Sequence, residues 1–250
     1  MASSNLGFVQ SRAGKDADVP LELDHSHDHQ AAVSAALATV FRGKFCDLIL
    51  QNRKTTTFSK HSVIYDVGDR ERTFFFLQNG FVRVGTMTAD GREVIYDVRK
   101  AGDVIGELCA AEEVRLDRAI ALEKTEAIGV PFEEIMEILI SKPDLIAILV
   151  DVFSRALKEA YAQVNSLAID DTVHRLVKVL IGLAAKIGRP SGRLVEIPTY
   201  LTQEEIGQMA AARRERVSTA LNSLRRKGMV QYSTRGLMVL DVGALEAHST

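Results

Sequence analysis

Tryptophan is absent from the chain, and cysteine nearly so: Cys46 and Cys109 are the only two thiols. Two thiols cannot supply the four ligands of an iron–sulfur cluster, and they lay down no disulfide framework. Proline occurs 5 times and glycine 17 times in 250 residues, too sparsely for a collagen-like or low-complexity chain. No apolar stretch approaches the roughly 18 to 20 residues needed to span a bilayer. Residues 1–20 have no apolar core behind their positive charges, so they do not read as a signal peptide. Hydrophobic residues make up 46% and charged residues 26%, which excludes global disorder and a coiled-coil rod. The expectation is a cytoplasmic protein with no membrane partner. Its length allows one large domain, or two smaller ones with cores of their own.

The net charge of -2 hides an asymmetry. Residues 1–170 carry 19 Lys and Arg against 26 Asp and Glu, a net of -7. Residues 171–250 carry 12 against 7, a net of +5. A basic terminal domain is an electrostatic footprint suited to nucleic acid.

Residues 1–30 are polar and aperiodic, and read as a mobile extension. Within them His25, His27 and His29 alternate. On an extended segment that places three imidazoles on one side, where a transition metal could bind; no second cluster completes such a site, and no metal is expected. A short helix is expected from about Gln30 to Phe41. From Lys54 to Val130 short apolar runs are cut by turns. Thr55–Phe58, Val63–Tyr65, Thr73–Leu77, Phe81–Thr86 and Glu93–Val98 read as strands. Asn79-Gly80 and Asp90-Gly91 read as tight hairpin turns, because both dipeptides tolerate positive φ. Gly68, Gly80, Gly91 and Gly102 recur every 11 or 12 residues. That is the spacing of short strands wound into a roll or barrel of roughly 75 residues.

Phe132–Leu139 reads as a short helix. A long one follows, with Pro143 in its first turn and its end near Leu167. Leu145, Leu149, Val152, Ala156, Ala160, Val164 and Leu167 form a narrow stripe along it, like a coiled-coil seam. The helix then either pairs with a second copy or lies on the roll as a core helix. Ile169-Asp170-Asp171-Thr172 breaks the pattern, and Asp171 is placed to cap a new helix running to about Ile187. A loop at 188–192 and a short strand Leu194–Ile197 come next.

Two segments carry recognition chemistry. Thr202 and Glu205 have capping-box spacing, with Ile206 and Met209 on the buried face. A second helix starting near Arg213 buries Val217, Leu221 and Leu224 and is loaded with Arg213, Arg214 and Arg216. Two short helices joined this way read as a helix-turn-helix. The strands Met229–Tyr232 and Leu237–Leu240, joined at Thr234-Arg235-Gly236, would form a wing. The other segment is Gly106-Glu107-Leu108, followed after a short insertion by Arg118-Ala119. Gly106 allows a phosphate to approach the backbone, and the amides of the turn can donate to it. Arg118 adds a planar fork suited to phosphate, and Glu107 can accept hydrogen bonds from a ribose hydroxyl. A surface ion pair between the two is the plainer alternative.

In this order the motifs resemble the CRP/FNR family of bacterial transcription regulators, across about residues 40–245. The resemblance rests on the hairpin glycines, Ile105-Gly106-Glu107-Leu108, Arg118-Ala119, the long helix, Leu201-Thr202-Gln203-Glu204-Glu205-Ile206-Gly207 and Arg214-Glu215-Arg216-Val217-Ser218. It implies an α+β chain: an extension (1–30), a cyclic-nucleotide-binding β-roll domain (31–142), a dimerisation helix and hinge (143–170), and a C-terminal winged helix-turn-helix (171–250). Cyclic AMP or cyclic GMP is the implied effector, held by Gly106, Glu107, Leu108, Arg118 and Ala119, with Tyr161 and Asn165 meeting the base. Neither haem nor an iron–sulfur cluster is expected. The implied DNA contacts are Thr202, Gln203, Arg213, Arg214, Glu215, Ser218 and Thr219. The implied partners are double-stranded palindromic DNA, a second copy of the chain and, for an activator, RNA polymerase.

This sequence departs from the family at several positions. Ala119 stands where the cyclic-AMP-binding members have Ser, and Ala160-Tyr161 where they have Thr-Ser. Thr219 replaces a base-contacting Arg, Ala211 the usual turn glycine, and Arg213 the usual Ser cap. An enzyme is the rival class, but residues 171–250 offer no phosphate loop, nucleophile constellation or metal motif. A regulator of the same fold that binds DNA without a cyclic nucleotide, or senses another effector, remains the alternative.

Overall fold

The computed structural model describes residues 50–110 and 114–249. The expected helix near residues 30–41 and the alternating histidines lie outside them. Eight strands form the first unit: β1 (Thr56–Phe58), β2 (Val63–Tyr65), β3 (Thr73–Asn79), β4 (Phe81–Met87), β5 (Glu93–Lys100), β6 (Val104–Ile105), β7 (Arg118–Ala121) and β8 (Thr125–Pro131). They make two four-stranded sheets, in the orders β1-β8-β3-β6 and β2-β7-β4-β5. Successive side chains of a strand face opposite ways, and β3 uses both faces. Leu77 joins Tyr65, Val82, Val84, Ile105, Ala119 and Ala127 inside the roll. Phe74 and Phe76 instead meet Ile135 and Leu139 of helix α1 (Phe132–Ser141), which covers the first sheet.

The four glycines expected at the corners all have positive φ, from +79° to +88°. Only one of the two expected hairpins exists. The strands β4 and β5 pair from Phe81↔Lys100 to Met87↔Glu93, and the chain between them closes through Thr88, whose carbonyl accepts from the Gly91 amide. That connection is a five-residue loop, and Gly91 rather than Asp90 takes the positive φ. The Asn79-Gly80 turn makes no hairpin: β3 pairs with β8 and β6, whereas β4 pairs with β5 and β7. It is a corner at which the chain leaves one sheet for the other. The Asn79 side chain accepts from the Gly80 amide, and a Cβ at Gly80 would lie 2.5 Å from Thr125 Oγ1. Strands β7 and β8 were not singled out in the sequence.

Helix α2 (Asp144–Ile169) begins after Pro143. Seven of its large apolar side chains, Ile146, Val150, Phe153, Leu157, Tyr161, Val164 and Leu167, are each 40–62% accessible, and Ile169 at its end is 82% accessible. The seven advance by three or four residues and form a continuous stripe. The stripe shares Val164 and Leu167 with the expected seam, and the seam's Ala160 is exposed as well. Leu145 turns inward and packs on the α1 cluster. The side chains of Leu149, Val152 and Ala156 lie outside those described.

The second unit contains α3 (Thr172–Ile187), β9 (Arg189–Ser191), β10 (Leu194–Glu196), α4 (Gln203–Met209), α5 (Arg214–Arg226), β11 (Val230–Tyr232), β12 (Met238–Leu240) and α6 (Val242–Ser249). Asp171 caps α3 by accepting from the Val173 and His174 amides, as expected. The expected loop at 188–192 is partly strand: β9 pairs with β10 and extends the wing into a four-stranded sheet, β11-β12-β10-β9. Helix α6, not foreseen, buries Leu245. Phe81, Ile95, Val98 and Leu122 of the roll belong to the same buried cluster as Leu176, Leu180, Ile206 and Leu221. The two units therefore share a core.

Candidate functional site

Gly106 follows β6 with φ +88°, and a Cβ there would lie 2.7 Å from both the Thr73 carbonyl oxygen and Arg115 Nη1. Glycine is thus required by both conformation and space. Glu107 opens a single 3-10 turn, Glu107–Ala110, and Leu108 beside it is exposed. Arg118 opens β7. Ala119 is fully buried, opposite Tyr65 on one flank and Val84 on the other, so it serves as interior packing.

The Arg118 side chain is 13% accessible, and its Nη2 donates to Asp66 Oδ2 at 3.3 Å. Its Nε is buried with no hydrogen-bond partner among the described residues. A part-buried guanidinium with a spare buried donor suits an anionic oxygen. Glu107 does not pair with Arg118. Its Oε1 accepts instead from Arg99 Nη2 at 3.4 Å.

Sequence reasoning missed two residues of the intervening segment. Arg115 is 1% accessible and Asp117 likewise. Arg115 donates to the Gly106 carbonyl at 3.0 Å and the Thr73 carbonyl at 2.5 Å, with its guanidinium 3.9 Å above the Tyr65 ring. The Tyr65 hydroxyl donates to Asp117 at 2.9 Å. Burial pushes the Asp117 carboxyl up, against the hydrogen bond from Tyr65, and burial likewise raises the Tyr65 hydroxyl. Charged residues in an apparent loop give no periodic signal that they are buried. Tyr161 and Asn165, on exposed positions of α2, make no hydrogen bond or ring contact with this cassette.

The partner of Glu107 leads away from the cassette. Arg99 and Asp97 stand two apart on β5, hence on one face, with Arg99 Nε 2.7 Å from Asp97 Oδ2. Asp97 also pairs with Lys186 of α3, and Lys100 donates to the Lys186 carbonyl. Burial pushes the Asp97 carboxyl up, but Lys186 and Arg99 outweigh it and hold the group below its usual range. Glu159 of α2 adjoins the same charges; burial lifts it to about 7, opposed by Lys186. Nearby, Arg83 of β4 lies 2.7 Å from Glu93 and 3.7 Å from Glu205.

Glu205 completes the capping box of α4, receiving the Thr202 amide and hydroxyl while its own amide donates to Thr202 Oγ1. The Thr202 hydroxyl is therefore committed to the cap. Gln203 beside it is half-buried. The turn to α5 passes through Ala211 at φ 48°, the left-handed conformation expected where a glycine is usual. Arg213 stands at the N-cap of α5 without a side-chain cap. Arg175 ties this turn to α3, donating to the Ala210 carbonyl at 2.9 Å and the Asp170 carbonyl at 2.7 Å. A cleft of about 380 Å³ lies here, lined by Thr172, Arg175, Ala211, Ala212, Arg213 and Arg216.

Helix α5 buries Val217, Ala220, Leu221 and Leu224. On the opposite side Arg214, Glu215, Thr219, Asn222 and Arg226 are exposed, with Ser218 half-buried. Thr219 donates its hydroxyl to the Glu215 carbonyl at 2.9 Å. Asn222 and Arg226 continue the Glu215–Thr219 stripe at helical spacing. Sequence reasoning passed over both, although that spacing alone would have found them.

Two family models match the chain. Cyclic nucleotide-binding domain covers residues 55–142, and Crp-like helix-turn-helix domain covers 174–248. The chain is 24% identical over 185 residues to the CRP-like cAMP-activated global transcriptional regulator of Mycobacterium tuberculosis, spanning 74% of this chain and 83% of that protein. It is 25% identical over 226 residues to the Global nitrogen regulator of Synechocystis, spanning 89% and 100%. The structure of FixK2 from Bradyrhizobium japonicum shares the fold, with a TM-score of 0.69 at 19% identity over 78% of this chain and 96% of that one. With a roll, a long helix and a winged helix-turn-helix in this order, the chain belongs to the CRP/FNR family of transcription regulators.

Proposed function

We propose that the chain is a homodimeric, cytoplasmic regulator, not an enzyme, that binds palindromic DNA in response to cyclic AMP or cyclic GMP. The observation that carries this reading is the buried Arg118 Nε, without an acceptor among the described residues, in a roll whose left-handed Gly106 opens the neighbouring turn. The phosphate would sit against Arg118 and the turn amides, and the ribose hydroxyl at Glu107. Leu108 and Ala119 contribute shape rather than hydrogen bonds. Tyr161 and Asn165 would meet the base from α2, which requires the helix to approach the cassette, its own or that of a second copy. A stripe of seven exposed apolar residues favours the second copy. Arg214 would read guanine and Glu215 the cytosine amino group, with Ser218 and Thr219 alongside. Gln203 and Arg213 would meet phosphates, while Thr202, whose amide and hydroxyl both serve the cap, would hold the helix end in place. The two recognition helices would need to stand about 34 Å apart, so a small change in helix pairing acts as a switch. A contact with RNA polymerase follows if the protein activates.

Titration of both nucleotides by calorimetry tests this reading. Cyclic AMP or cyclic GMP should bind to the wild type, and Arg118→Ala should abolish binding with the fold intact. A second reading has its own support: Arg115 already occupies the space beside Gly106, and Asp66 already pairs with Arg118. A regulator that binds DNA unliganded, or that senses another effector, would show no heat with either nucleotide.

A further inference from the structure

The recognition helix carries a second charged end to which no role has been given. A groove of about 650 Å³ separates the last two turns of α5 from β11, lined by Asn222, Arg225, Arg226, Val230, Gln231 and Tyr232. No acidic side chain lines it. Arg225 is held with its guanidinium carbon 5.3 Å from the centre of the Tyr232 ring, within cation–π range. Arg226 lies about three turns beyond Glu215, so the two share one face of the helix. Arg226 therefore faces the same side of α5 as Glu215 and Asn222.

Dimensions decide what that is. With 13 residues, α5 is about 20 Å long at 1.5 Å per residue. The major groove is about 12 Å wide and winds away from any straight rod. A helix with Arg214 and Glu215 at base edges cannot keep its far end there. That end rises to the level of the sugar–phosphate backbone, carrying two exposed arginines and an adjoining trough.

We propose that this groove seats a phosphodiester segment of the DNA backbone, with Arg225 and Arg226 as its ligands and Tyr232 as the platform holding Arg225. The proposal rests on α5 being the DNA-reading helix. It adds a second anchoring point on the wing side, separate from the cleft at Arg213.

The test uses the full chain and a duplex recovered by selection from random sequence, with affinity followed by fluorescence anisotropy across a salt series. In the variant carrying both Arg225→Gln and Arg226→Gln, the slope of log affinity against log salt should fall by about 1 to 2 per subunit. Affinity should drop about tenfold or more at low salt, and a repeated selection should return the same sequence. The pair Arg225→Lys and Arg226→Lys should keep most of the slope, and the single variant Arg226→Gln should lose about 1 if the double variant is poorly folded. Unchanged slope and affinity in a folded Gln variant would overturn the proposal. So would a changed base preference with an unchanged slope, which would make the groove a base reader. If the wild type bound all duplexes alike, sequence reading would fail as a function, yet the slope comparison on any duplex would still decide the groove.

Discussion

Lys186, near the end of α3, pairs with Asp97 in the middle of β5, so a helix of the DNA-binding half is fastened to the roll by a part-buried ion pair. Asp97 is also a partner of Arg99, and Arg99 of Glu107. A side chain of the candidate effector cassette is therefore three contacts from the DNA-binding domain. Charges removed from water are held in place only while their partners remain, because a lone buried charge is costly. A ligand that drew Glu107 away would leave Arg99 to Asp97 and alter the hold on Lys186.

Lys186→Met replaces the ammonium with an apolar group of similar length and should uncouple the two halves. In the wild type, DNA and cyclic nucleotide should each raise affinity for the other, by about 5- to 150-fold. In the variant the nucleotide should still bind, while that factor falls towards one. Calorimetry with and without a duplex measures it; an undiminished factor would reduce the contact to a fastening.

Glu159 gives the same cluster a pH dependence. Its folded value, about 7, lies above the ordinary 4.5 because of burial, and its charged form is faced by Lys186, Asp97 and Arg99. The folded state therefore favours the proton. This contribution is complete below about pH 4.5 and is lost as pH rises through about 7. Between about pH 6 and 8 the melting temperature of the wild type should fall more than that of Glu159→Gln. Parallel curves would remove the assignment.

The exposed stripe on α2 predicts an interface centred on Leu157. Leu157→Glu would bury a charge without a partner in that seam. The expected result by sedimentation is a monomer, or a dimer weakened by several orders of magnitude. An undisturbed dimer would mean that another surface pairs.

Base reading should depend on Arg214. Arg214→Ala should cost about 1 to 3 kcal/mol per half-site and relax the preference at one G·C pair. The selected palindrome should have half-sites about 10 base pairs apart in the wild type. Recovery of the same sharp palindrome with the variant would refute the role.

Ala211 holds φ 48° with a Cβ, a conformation that costs on the order of 1 kcal/mol relative to glycine. Ala211→Gly should stabilise the domain by about that much in denaturant unfolding. Arg213→Ser should add about 1 kcal/mol through a restored cap. A loss of stability from Ala211→Gly would show that the Ala211 methyl has a role of its own.

Whatever depends on local conformation is legible in the chain without its fold. Left-handed corners at Gly68, Gly80, Gly91 and Gly102, the Asp171 cap and the Thr202–Glu205 capping box all follow from neighbours a few residues apart. Helical spacing likewise separated the buried Val217 and Leu221 from the exposed Arg214 and Glu215. Which strands pair and which charges are buried emerges from the folded chain alone. Asn79-Gly80 reads as a hairpin in any local window, yet the strands that it joins lie in different sheets. Arg115 and Asp117 read as loop residues, yet both are buried, and Lys186 meets Asp97 across 89 residues of chain. Pairing and burial are set by free energies summed over segments far apart in sequence, for which periodicity within one segment carries no signal.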